Sequence, residues 1–458
     1  MKFNSQFQID RIAAVPYNPR SISSEAFIEL KKSLQTLGVV KPLIVNSNGN
    51  IVAGHQRSRA LKELGFNTVP VFQSEIPISP DQEVRFNLVH NTLEADKASV
   101  KIRRTGLPFR QFVQLPYEDI ILRERGYMSY VTEYCKLISK YGDCGSIVVN
   151  ESGNVIHNGE YAYACFLLRR PCLAYAIEKD ALDSFSAFMS KDYGDYDFSR
   201  IKTHNYSQSY AQLNRKEGYD ESFLYKKKVY PYVRHNQKIL DFGAGNGYSV
   251  RSLMAQGFNA LEYEPFRKKK GSNAIIDLSS VQHMIATLTS SVQQSGLFDV
   301  LISDHVLNSV KDDEWQDYVM TAMNALVKED GVLYLATRGR GKDEQTRRAR
   351  IAADKGIMSK AAFQYLDKQG YSLTYLNRVW FKQKYYRLDE LRTFLLNYFE
   401  MVEAYETGPL IMAECRYKKK LGADRLRTAL NKEFNIEYPG ALYLNVQANL
   451  VKEVLLRN

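Results

Sequence analysis

The stretch Lys238-Ile239-Leu240-Asp241-Phe242-Gly243-Ala244-Gly245-Asn246-Gly247 decides the fold of the second half of the chain. A strand pattern runs into a turn with glycine at alternate positions, and a helix, Tyr248 to Gln256, follows. Glycine there lets the backbone approach a ligand closely and seats that ligand over a helix N-terminus. Working outward, Asn259 to Glu264 reads as the next strand, ending in an acid 23 residues beyond Asp241. A carboxylate in that place can accept both hydroxyl protons of a ribose. Phe298 to Asn308 and Leu326 to Leu335, with Asp330-Gly331 between, read as strand, helix, glycine turn and strand, an α/β succession.

Asp241 ahead of the turn resembles the DxGxGxG pattern of class I S-adenosylmethionine-dependent methyltransferases; nicotinamide sites usually carry a hydrophobic residue there. The run from Phe298 is similar to that family's FDxIxxxxVLxxV…LxxGGxLxL. The resemblance implies a Rossmann-like sheet over residues 237–420, interrupted by a basic insertion at 338–385 and followed by a C-terminal extension, 421–458. It implies S-adenosylmethionine as cofactor, held by Asp241, Gly243, Ala244, Gly245, Gly247 and Glu264. Asp277, after an expected strand at Ala274 to Ile276, would be the adenine contact, with a purely structural role left open. Val306 to Asp313 (VLNSVKDD) and Gln383 to Leu391 (QKYYRLDEL) resemble methyltransferases associated with DNA phosphorothioation systems.

Two familiar acceptor chemistries lack their residues. No [DNS]PP[YFW] motif is present, and Ser303-Asp304-His305-Val306 stands at the corresponding strand end. Past Cys172 the chain has one cysteine, Cys415, far from the place a cytosine-carbon methyltransferase needs its nucleophile. Asp304 and His305 are the candidate catalytic pair, His305 as general base or as a packing histidine. Positioning alone also speeds such transfers.

In the N-terminal half, Phe27, Leu30, Leu34 and Leu37 have helical spacing and Gly38 stops the helix. A strand at Val40 to Val45, a turn at Ser47 to Asn50, a strand at Ile51-Val52, a helix opened by Gly54-His55-Gln56-Arg57 and a strand at Val69 to Val71 follow. These residues, with Asn18-Pro19-Arg20 and Phe86 to Leu93, resemble the ParB/sulfiredoxin superfamily, although His90 stands where an arginine is usual. The resemblance implies an anion or nucleotide pocket lined by Gly54, His55, Gln56, Arg57 and Arg59, with CTP or ATP as ligand. A scaffold used only for docking is the alternative. A shift of 104 residues lays Val148 to Ile156 on Ile44 to Val52, Gly142 on Gly38 and Leu168 on Leu64. The second copy has His157-Asn158-Gly159-Glu160-Tyr161 in place of Ala53 to Arg57, so it keeps the pattern and loses the arginine; a coincidence between two ordinary α/β units is the alternative.

The expected architecture is multidomain α/β: two small ParB-like α/β units, then a Rossmann-like class I methyltransferase sheet. Its boundaries are 1–97, a degenerate repeat at 98–180, a Tyr-rich lead-in at 181–236, and the methyltransferase region with its extension. A net charge of +11 favours an anionic partner, and DNA is the partner expected. Lys101 to Arg104 with Arg110 form a solvated surface or a phosphate-contacting patch. The five cysteines lack CxxC spacing, which predicts reduced thiols and no metal. No apolar run is of membrane-spanning length and the N-terminus lacks a signal-peptide layout, so cytoplasm is the expectation. Oligomeric state stays open, a homodimer included. The leading function is methyl transfer to DNA or a modified nucleic-acid component. The alternatives are a nucleotide-binding DNA adaptor with a vestigial methyltransferase fold, and a small-molecule or protein methyltransferase.

Overall fold

The computed structural model describes residues 1–15, 20–90, 99–124, 128–185, 195–196, 198, 201, 203–206, 222–272, 275–340, 364–367, 369–376 and 379–458. Asn18-Pro19 of the early motif, Asn91 to Leu93 and most of the basic insertion (341–363) lie outside them. The chain forms two compact units, one containing Met1–Ile201 and the other containing Lys202–Arg347 and Val379–Asn458.

The first unit holds two four-stranded sheets. In the first sheet β1 (Lys2–Gln8) pairs antiparallel with β4 (Thr68–Gln73), which runs parallel to β2 (Leu43–Val45). β2 in turn pairs antiparallel with β3 (Ile51–Ala53). α1 (Ser24–Leu37) precedes β2, and α2 (His55–Glu63) links β3 to β4. Pro70, without an N–H, lies inside β4 where the register of β1 shifts between Asn4 and Phe7. α3 (Pro80–His90) ends this copy.

The same arrangement recurs 104 residues on. α4 (Met128–Tyr141), β6 (Ser146–Val149), β7 (Val155–His157), α5 (Gly159–Leu167) and β8 (Cys172–Ala176) match α1, β2, β3, α2 and β4 in order. β8 again runs parallel to β6 and pairs antiparallel with an added strand, β5 (Phe112–Leu115). The two copies share a core in which Leu37 packs with Val148, Tyr175 and Ile177. Tyr175 donates to the Leu37 carbonyl at 2.9 Å. A side chain on Gly38 (φ 74°) would meet that hydroxyl at 2.8 Å, so the helix must end on glycine there.

The second unit is built on one mixed sheet of six strands. β9 (Lys238–Phe242) lies between parallel neighbours β10 (Asn259–Tyr263) and β11 (Phe298–Asp304). β11 runs parallel to β12 (Val327–Arg338), and the antiparallel pair β14 (Phe399–Thr407) and β15 (Leu410–Lys418) completes the sheet beside β12. β13 (Val379–Lys384) lies outside it. α6 (Tyr248–Ala255) follows β9; α7 (Leu278–Ser295) and α8 (Asp313–Leu326) flank β11. α9 (Leu388–Leu395) leads into β14. This is a Rossmann-like methyltransferase fold. The central strands β9 and β11 are buried along nearly their whole length, as a sheet covered on both faces requires, while the edge strand β10 is only partly buried.

The segments flanking the sheet belong to its core. Leu224, Tyr225 and Val229, from the Tyr-rich lead-in, pack on one face with Ile239, Val250 and Val300. On the other, α10 (Ala423–Phe434) and α11 (Ala448–Leu455) bury Leu426, Leu430, Phe434, Leu450 and Val454 with α7 and α8. The strand expected at Ala274 to Ile276 is not formed at its described residues. Ile276 makes a lone bridge to Lys268, and β10 remains the sheet edge. No helix among the described residues is long and apolar enough to cross a membrane.

Asn158 takes the left-handed N-cap position that Gly54 holds in the first copy (φ 65° against 99°). It compensates with its side chain, which donates to the Ser146 carbonyl and accepts from the Tyr134 hydroxyl. Asn158→Ala removes both bonds and keeps the strained φ. It is expected to destabilise the chain by about 2–4 kcal/mol, read as a lowered urea midpoint, with Asn158→Gly milder.

Candidate active site

β9 ends at Phe242, and the turn behind it has Gly243, Gly245 and Gly247 at φ 86°, 58° and 74°. Each glycine has its own reason. A Cβ on Gly243 would lie 2.3 Å from Val306 Cγ2, and one on Gly247 would lie 2.1 Å from Glu262 Oε2. A Cβ on Gly245 would meet nothing within 4 Å; this residue lines an open cavity. Glu264, just past β10, accepts from Gly245 N at 2.8 Å and from Phe266 N at 2.8 Å.

The cavity is about 380 Å³, within the range of small-molecule sites. It gathers Asp241, Gly243, Ala244, Gly245, Glu264, Asp304 and His305 from the sequence-predicted set, while Gly247 lies outside the lining, against Glu262 and Arg251. Asp277 is not in that lining. Its carboxylate accepts from Ser280 N and the Ser279 hydroxyl, capping α7. This is the structural role left open for Asp277: an acid before Ser-Ser satisfies helix N–H groups directly.

Asp241 is 4% exposed, and burial with Asp304, Glu262 and Glu264 nearby raises its carboxyl to about 7, against the pull of the Tyr225 hydrogen bond. Tyr225 donates to Oδ2 at 2.6 Å; Oδ1 has no partner. At the strand end, His305 Nδ1 lies 2.7 Å from Asp304 Oδ1. A carboxylate only accepts, so Nδ1 carries the proton and Nε2 is left as the basic nitrogen. His305 has φ 63°, strained for a side-chain-bearing residue, and is held by bonds from its N–H to Ala336 and from the Ser309 hydroxyl to its carbonyl.

Tyr225, Glu433 and Arg338 are among the lining residues that sequence reading did not single out. Tyr225 comes from the lead-in, 16 residues before Asp241, and Glu433 from α10, far along the chain. Glu433 is 3% exposed; burial, then the charge of Glu264, raises its carboxyl to about 8. Arg338, at the end of β12, is the third. Among the described residues no cluster of three His, Cys, Asp or Glu could hold a metal ion.

In the first unit, the residues at the start of α2 have separate fates. Arg57 turns back over Gly54 and donates to the Lys41 carbonyl. His55 is lowered to about 4 by burial, and so is neutral. Asn87 Nδ2 lies 3.2 Å from its Nδ1, which leaves Nε2 as a buried N–H without an acceptor. Arg59 departs from the expected pocket: its guanidinium sits 3.8 Å over the Phe27 ring and pairs with Glu63. In the second copy Tyr161 replaces Arg57 and is fully buried, its ring 3.0 Å from where a Cβ on Gly145 would stand.

Comparison with known proteins agrees with this division. The ParB N-terminal domain family matches residues 3–92, and a methyltransferase domain family matches residues 211–390. The chain is 28% identical over 128 residues to Stage 0 sporulation protein J of Bacillus subtilis, spanning 27% of this chain and 45% of that protein. It is 30% identical over 63 residues to the ParB-like nuclease domain-containing protein YnaK of Escherichia coli, which is 14% of this chain and 72% of that protein. It is also similar to a solved S-adenosylmethionine-dependent methyltransferase of Clostridium acetobutylicum, 12% identical, covering 43% of this chain and 97% of that one at a TM-score of 0.26. The chain belongs to the ParB N-terminal-domain family through residues 3–92, and joins that domain to a methyltransferase domain.

Proposed function

We propose that the protein is an S-adenosylmethionine-dependent methyltransferase acting on DNA or a modified nucleic-acid component. One observation carries the reading: Gly243, Ala244 and Gly245 of the turn, the Glu264 carboxylate and Asp241 line one cavity that continues to the Asp304–His305 pair. When bound, the cofactor supplies an electrophilic methyl group on a sulfonium. Glu264 and the turn hold the ribose side, and Asp241 offers its free oxygen to a cationic group. Asp304 orients His305, whose Nε2 accepts the proton of an oxygen or nitrogen nucleophile. The net charge of +11, the ParB family membership and the resemblance of Val306 to Asp313 to phosphorothioation-associated enzymes support DNA as the place of action.

The first unit would dock DNA or bind a nucleotide. Its support is the buried His55 Nε2–H, an unmatched donor at the start of α2, beside Arg57. An anion acceptor would satisfy that donor.

Glu264→Ala or Gly245→Asp is expected to abolish S-adenosylhomocysteine binding in isothermal titration; tight binding by either variant would sink the cofactor assignment. Lowering the pH from 8 to 6 protonates Asp241, so affinity should fall, by at most about tenfold per pH unit for each proton taken up. Asp241→Asn should shrink that difference. The acceptor class is tested with tritium-labelled cofactor and host DNA, RNA and lysate: label retained in deproteinised DNA is expected, and label in protein alone overturns the DNA assignment.

A further inference from the structure

The charges lining the cavity are matched, with one exception. Asp241 accepts from Tyr225, Glu264 from two backbone N–H groups, and Asp304 from His305. Glu433 carries little charge to match, because burial raises its carboxyl to about 8; the Tyr263 hydroxyl donates to its backbone carbonyl at 2.9 Å. Arg338 is the one lysine or arginine among the described lining residues, and no described acid pairs with it. Its Nε is shut off from solvent and has no hydrogen-bond acceptor. Other cations of this unit do have acids. Arg340 and Lys384 share Glu390, Lys228 and Arg416 share Glu414, and Arg267 pairs with Glu262. Leaving a guanidinium N–H buried and unanswered costs free energy, so its position calls for an acceptor from outside the chain.

Backbone geometry holds Arg338 in place. Its residue pairs with Leu410 of β15, and its carbonyl accepts from Tyr386 N at 3.0 Å. It stands two residues beyond Ala336, which pairs in register with Asp304 and accepts from His305 N. Arg338 therefore belongs to the Asp304–His305 end of the cavity, where Phe381 and Gln383 of β13 also line the wall. A planar guanidinium fork matches two oxygens of a phosphate or carboxylate, and partial burial strengthens that pairing.

We infer that Arg338 binds an anionic oxygen group, a phosphate or a carboxylate, carried by the methyl acceptor. The inference rests on the methyltransferase reading and deepens it: the acceptor is an anion, held by its charged group while His305 faces the nucleophile. A nucleotide satisfies this through its phosphate, and a small organic acid through its carboxylate.

The test titrates the full chain with inorganic phosphate, acetate and a deoxynucleoside 5′-monophosphate, with and without S-adenosylhomocysteine. Wild type is expected to bind one oxyanion class at least about tenfold more tightly than Arg338→Gln. Arg338→Lys, which keeps the charge and loses the fork, should fall between them. Unchanged S-adenosylhomocysteine affinity in Arg338→Gln shows that the variant is folded. Preference for phosphate over acetate, or the reverse, assigns the source. Equal affinities in wild type and Arg338→Gln for all three probes, or no binding of any by wild type, overturns the inference. Failure of S-adenosylhomocysteine to bind wild type overturns the methyltransferase reading separately, while the titrations without it still report on Arg338.

Discussion

The hydrogen bond from Gly245 N to the Glu264 carboxylate, 2.8 Å long, is the contact on which the site depends. It ties the turn after β9 to the end of β10, and it forms only because three residues of the turn adopt positive φ. Glycine at 243 also lets Val306 come close, and Val306 follows directly on the strained His305. The cofactor side and the acceptor side of the cavity are thus joined by one close approach of backbone and side chain. Asp241 lies beneath this turn, its charge held back by burial and its hydroxyl partner supplied by a helical segment from before the sheet.

The two copies in the first unit show how one backbone can carry different chemistry. Both place a left-handed residue at the start of the helix, glycine in the first and asparagine in the second. In the first, Arg57 reaches back to Lys41; in the second, Tyr161 packs against Gly145, the position equivalent to Lys41 under the same shift. Filling that space with a buried ring leaves no room for an anion where the first copy holds its arginine. Repetition of fold is therefore maintained by the shared core around Leu37 and Val148, independently of ligand chemistry.

What was legible in the sequence is what local physics controls. Glycines that need positive φ, strands followed by helices and the acid after β10 all announce themselves within a few residues. The same locality leaves Asp277 open: an acid before a helix looks alike whether it faces a ligand or caps the helix, and the structure shows its bonds to the two serines behind it. Arg59 lies two residues beyond Arg57, about 200° around the helix axis, and its side chain covers Phe27 instead of sharing the face of Arg57. Tyr225, Glu433 and Arg338 reach the cavity only through tertiary packing. No spacing rule connects them to the glycine turn.

The positions of the cysteines bear on the reaction. Cys415 is fully buried in β15, within the main core, and burial drives its thiol far above the ordinary range. No cysteine is among the described residues lining the cavity. A thiolate attack that would activate a pyrimidine carbon therefore has no nucleophile at this site. The groups that do line the acceptor end are a histidine fixed by an aspartate, an amide and an unpaired guanidinium. They suit a nucleophile that already carries a lone pair on oxygen or nitrogen and needs to be held in line and relieved of a proton. On the methyltransferase reading proposed above, transfer would proceed in one displacement, and most of the work of the fold would lie in placing the acceptor.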